Sequence, residues 1–133
     1  MRKMLTVALF IAVSASSLLA KSGINVTGTW TGEVRDQMGG TGKVRFVLRQ
    51  DGDQVSGTAG PVEKQNPGHV HDAKLDGNHL TLSADDTDDK SGLTLTYNFD
   101  LTVANDQMQM QGKAYGRSGD RTWILDISLT RDK

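Results

Sequence analysis

Leu93-Thr94-Leu95-Thr96-Tyr97-Asn98-Phe99-Asp100-Leu101-Thr102-Val103 places an apolar side chain at every odd position and a polar one at every even position. Successive side chains of a β-strand point to opposite faces, so this period of two marks a strand with one buried face and one wet face. The alternation extends outward from there. Upstream, Val44, Phe46 and Leu48 oppose Lys43, Arg45 and Arg49, while from Ile24 the even positions Val26, Gly28, Trp30, Gly32 and Val34 oppose Asn25, Thr27, Thr29, Thr31 and Glu33. The same parity assigns further inner faces to Val55, Gly57 and Ala59, to Leu80, Leu82 and Ala84, to Met110, Gly112 and Ala114, and to Trp123, Leu125, Ile127 and Leu129. Eight such runs, separated by seven turn signals, fill Ile24 to Arg131. They predict an all-β fold, a single eight-stranded antiparallel up-and-down (meander) barrel, because closure removes the exposed edges of a flat sheet.

Residues 1–20 follow a different pattern. Arg2 and Lys3 precede an apolar stretch from Met4 to Val13, and small residues lead to Leu18-Leu19-Ala20. That succession reads as a secretory signal peptide, too short for a lasting membrane span. Residues 21–133 are then the β-barrel domain, and its expected location is secreted or periplasmic. No cysteine occurs, so no lipid anchor is expected and no disulfide can constrain the unfolded chain. The core must hold the fold alone.

Charge narrows the partners. The chain carries 15 basic and 16 acidic residues, and losing Arg2 and Lys3 with the leader leaves 13 against 16, a formal balance of −3. Basic residues such as Arg35, Lys43, Arg45 and Arg49 are spread singly along strands. Nucleic acid is not an expected partner, and no patch suits phosphate or lipid headgroups.

In a meander, alternate connections share an end. Even-numbered connections read as tight turns at Asp51-Gly52, Asp76-Gly77-Asn78 and Asn105-Asp106. Odd-numbered ones read as long, at about Asp36 to Gly42, Gly60 to Gly68, Asp85 to Gly92 and Gly116 to Asp120. Long loops on a rigid scaffold are where binding residues tend to sit. Inner-face size points to the same end: Gly57, Ala59, Ala73, Ala84 and Ala114 lie near the loops, whereas Trp30, Leu48, Leu80, Leu101 and Leu129 lie toward the tight turns.

His69 and His71 share parity with Ala73 and Leu75, so both are expected to face inward at the mouth. Two imidazoles at i and i+2 on one face can share a metal, but a site needs a third ligand. The acidic run Asp85, Asp86, Asp88 and Asp89 lacks the spacing of a helix-loop-helix calcium site and reads as a solvated hairpin loop.

Gly28-Thr29-Trp30, opening the first strand after an exported N-terminus, resembles the Gly-x-Trp signature of lipocalins and avidins, the calycin-type barrels. The pattern of strand, Asp-Gly turn and closing basic residue, over about Ile24 to Arg131, also resembles small bacterial exported proteins of lipocalin-like type. The resemblance implies that Arg131 from the last strand covers Trp30 and that both stabilise the closed end. Departures are clear: only Trp30 and Trp123 are present, inner-face hydroxyls are nearly absent, and the helix and disulfide usual in lipocalins are missing. Biotin binding is not implied.

No Ser/His/Asp spacing, cysteine nucleophile or paired carboxylate across a cleft is legible, so neither an enzyme nor a cofactor is expected. The expected function is to hold a small apolar or amphipathic molecule at the long-loop end. Val34, Val44, Leu93, Leu95 and Trp123 would supply apolar surface, with His69, His71 and Tyr97 orienting a polar end. Two alternatives stand: a filled barrel acting as a structural or protein-interaction module, and metal binding through His69 and His71.

Overall fold

The computed structural model describes residues 23–64, 67–87 and 90–133, so the expected signal peptide, Asp88 and Asp89 lie outside the described residues. Eight strands follow one another in chain order: β1 (Gly28–Arg35), β2 (Thr41–Asp51), β3 (Gln54–Pro61), β4 (Gly68–Asp76), β5 (His79–Thr87), β6 (Thr94–Val103), β7 (Gln109–Ser118) and β8 (Arg121–Arg131). Each pairs antiparallel with its neighbour, and β1 also pairs with β8, which closes the barrel. The predicted meander is the observed fold.

Parity decides what fills it. Val44, Phe46 and Leu48 of β2 are buried while Lys43, Arg45 and Arg49 are exposed, and Leu80, Leu82 and Ala84 of β5 are buried in the same way. The largest fully buried side chains, among them Trp30, Phe46, Leu80, Leu101, Met110 and Leu129, lie at mid-barrel or nearer the tight turns. Among the described residues no polar or charged side chain is buried. Stability therefore rests on apolar burial and on the closed backbone ladder.

Four local features depart from the sequence reading, three of them small. The first strand begins at Gly28 rather than Ile24. Ahead of it Val26 is wholly buried, and its backbone N–H donates to Gln50 Oε1 at 2.8 Å, so this short segment packs on the closed end instead of extending the ladder. The β7–β8 connection is short, because β7 runs to Ser118 and β8 resumes at Arg121. Asp85 and Asp86 belong to β5, whereas Leu93 precedes β6 and is 60% exposed.

The fourth strand holds the largest departure. Val70 pairs with Ala84 and His71 with Ser83, yet the next pair is Lys74 with Thr81, so the register shifts between His71 and Lys74. Asp72 sits at φ 53, the left-handed region that Asp tolerates better than most residues. One extra residue in a bulge reverses the parity on its far side. Val70, Ala73 and Leu75 pack on the core, and His69 and His71 turn outward.

Candidate functional site

Ala59 of β3, Ala84 of β5 and Ala114 of β7 are buried inward-facing residues that reach only to Cβ. Where they face one another the barrel is not filled, and a cavity of about 100 Å³ opens at the end that carries the β1–β2, β3–β4 and β5–β6 connections. Val34, Val44 and Leu125 complete its aliphatic wall. Rings form the rest: Phe46 and Phe99 meet edge to face with centroids 4.9 Å apart, and Tyr97 stacks on Phe99 at 6.1 Å. Trp123 then meets Tyr97 edge-on at 6.1 Å. A Cβ at Gly116 would lie 2.4 Å from the Trp123 indole, so that glycine lets the ring lie close over β7.

Among the described residues the charged groups at the cavity gather at its rim. Asp86 lines the cavity, with inward parity two residues beyond Ala84. Its Oδ1 accepts from Lys64 Nζ at 2.8 Å, and the same ammonium donates to the Thr87 carbonyl at 2.7 Å. Lys64, in the β3–β4 connection, thus spans to the end of β5. Burial pushes the Tyr97 phenol above its ordinary value, and the Asp86 charge pushes it further, against a hydrogen bond from Trp123. Tyr97 stays protonated at neutral pH and keeps its O–H donor.

The expected site residues divide accordingly. Val34, Val44 and Tyr97 line the cavity, Trp123 backs Tyr97, and Leu95 is half-buried opposite Asp86. Leu93 does not reach the inner face. His69 and His71 are corrected by the β4 bulge: both are exposed on the outer surface. His71 Nδ1 lies 2.8 Å from Asp72 Oδ2 and its Nε2 lies 3.4 Å from Asp85 Oδ1. No group of three or more His, Cys, Asp or Glu able to hold a metal occurs among the described residues. Sequence reasoning missed Asp86 and Lys64. Continuing the parity of Leu80, Leu82 and Ala84 by one step would have put Asp86 on the inner face.

The opposite end is sealed. Trp30 is fully buried and its indole N–H donates to the Val26 carbonyl at 2.9 Å. The Arg131 guanidinium lies 4.4 Å above the ring and donates to the carbonyls of Gln107, Thr27 and Asn25. Gly28, at φ 142, permits this approach: a Cβ there would stand 3.2 Å from the guanidinium. A wider recess of about 450 Å³ lies on the outer face between β1, β8 and β7. Its lining charges are spent on one another, Arg35 with Glu33 at 3.6 Å and Lys113 with Asp126.

No protein-family model matches the chain, and no curated protein matches it. Among solved structures a redesigned β-barrel is similar, with a TM-score of 0.34 and 13% identity over 85% of this chain and 100% of the other. Neither the lipocalin nor the avidin family is confirmed, and the chain stands as a closed eight-stranded antiparallel β-barrel.

Proposed function

We propose that this chain is an exported barrel that holds a small apolar or amphipathic molecule at its long-loop end. One observation carries the reading: a cavity of about 100 Å³ with aliphatic and aromatic walls and its polar groups confined to the rim. Residues 1–20 support export as a signal peptide. The volume sets the ligand's size, since drug-sized molecules occupy roughly 300–1,000 Å³ and an apolar cavity of about 150 Å³ admits benzene. A narrow chain or, with slight repacking, one ring fits here. Burying a five-carbon chain is worth about 4 kcal/mol at roughly 0.8 kcal/mol per methylene before the costs of association are subtracted, so apolar contact alone gives a dissociation constant no tighter than about 1 mM. Tighter binding has to come from the rim.

The test is a 1-pentanol titration followed by amide NMR. Saturable shifts at Ala59, Ala84 and Ala114 are expected, and Ala114→Leu, which fills the hole, should abolish them. A folded wild type whose cavity signals do not move would sink the reading. The filled-barrel interaction module would then be the better account.

A further inference from the structure

Resting on the binding reading above, we propose that the ligand is a small primary amine, its ammonium held by Asp86. Among the described residues Asp86 is the one cavity-lining residue of inward parity that carries a charge; Asp85 also borders the space, but its carboxylate faces His71 on the outer surface. Lys64 lies outside the lining, and its Nζ already sits between Asp86 Oδ1 at 2.8 Å and the Thr87 carbonyl at 2.7 Å. That ammonium marks the place of the ligand's own. An incoming amine takes over both acceptors while its carbon chain enters between Ala84, Ala114 and Leu125. The displaced Lys64 side chain, which comes from a surface connection, passes to water. A carboxylate ligand would instead have to share the rim with Asp86 and meet like-charge repulsion.

Pentylamine, 1-pentanol and pentanoate, matched in length, test the assignment by calorimetry and amide NMR on wild type, Asp86→Asn and Lys64→Met. Thermal melting checks that each variant is folded. The proposal expects pentylamine to bind about tenfold tighter than 1-pentanol in Lys64→Met, where the whole charge-assisted hydrogen bond is gained, and by a smaller factor in wild type, where the Lys64–Asp86 pair must first be broken, with pentanoate weakest in wild type. Asp86→Asn should erase the amine's advantage and leave 1-pentanol unchanged, and Lys64→Met should tighten pentylamine by removing its competitor. If 1-pentanol enters but the amine gains nothing, or keeps its gain in Asp86→Asn, the amine assignment falls and the pocket survives. Pentanoate binding tightest, with that advantage lost in Lys64→Met, overturns it in favour of an anion held by Lys64. If none of the three shifts cavity signals, the binding reading beneath it has failed.

Discussion

The two ends of this barrel use one lattice of strands for opposite purposes. At the closed end a bulky indole fills the interior, Val26 packs alongside, and a single guanidinium satisfies three carbonyls that the converging segments leave unpaired. At the other end three alanines leave space, and the polar tie is made by partly exposed side chains, Lys64 from the β3–β4 connection and Asp86 from the end of β5. Both ends belong to one closed run of strands, irregular only around β4, which meets β3 at two pairs and carries the bulge against β5, and they differ most in side-chain volume and in where the charged groups find partners. A barrel of eight strands is just wide enough for either outcome. Residue size at a few inward positions selects which.

The largest expected effect tests the sealed end. Trp30→Ala removes a fully buried indole and should cost about 3–5 kcal/mol in urea denaturation. Leu125→Ala, on a half-buried cavity wall that already borders empty space, should cost about 1–2 kcal/mol. Equal costs would break the contrast between a packed end and a loose one. Next, Arg131→Met keeps an aliphatic stem over Trp30 but leaves the carbonyls of Asn25, Thr27 and Gln107 to solvent, for an expected loss of about 1–2 kcal/mol. Arg131→Lys should recover little, because one ammonium lacks the planar fork that reaches three acceptors. Full recovery by lysine would reduce the residue to a general positive charge.

Volume added at each end sharpens the same point. Ala114→Leu places three carbons in an existing void and should change stability by less than about 1 kcal/mol while blocking 1-pentanol. Leu80→Phe adds comparable bulk where the core is full and should cost about 1–3 kcal/mol. A destabilisation by Ala114→Leu as large as that of Leu80→Phe would mean the loop end is packed too.

The sequence carried the barrel because its alternation is nearly uninterrupted, and the period of two places most of the inner face without further information. The cavity's location is legible for the same reason: alternation turns Ala84 and Ala114 inward near the loops and puts Val34, Val44 and Tyr97 beside them. What failed was parity across a single residue. Nothing in His69-Val70-His71-Asp72-Ala73 announces a bulge except that Asp72 can adopt positive φ, and both readings of the run look alternating. Asp86 is masked by its neighbours, since the acidic run Asp85, Asp86, Asp88 and Asp89 reads as a loop rather than a strand end. Lys64 is out of reach, since its partner lies in a different element, at the end of β5.

The smallest effect tests the bulge itself. Its hydrogen bond with Asp72 raises the His71 pKa above the ordinary 6.5, slight burial opposes this, and Asp85 adds to the rise. The folded protein therefore holds this proton more tightly than the unfolded chain. The resulting stability is fully present below the unfolded pKa and disappears as pH rises through the folded one. Because His71 and Asp72 are both largely exposed, solvent screens the pair to less than about 1 kcal/mol. Asp72→Asn removes the charge while retaining a residue type that tolerates the left-handed φ, so the His71 titration followed by NMR should fall toward its ordinary value with the fold intact. An unchanged titration would shift the cause to Asp85. Added salt should weaken this pH dependence much more than it changes the cost of Arg131→Met, because the guanidinium's bonds to carbonyls are short-range contacts over a buried ring, whereas the His71 ties are open to ions.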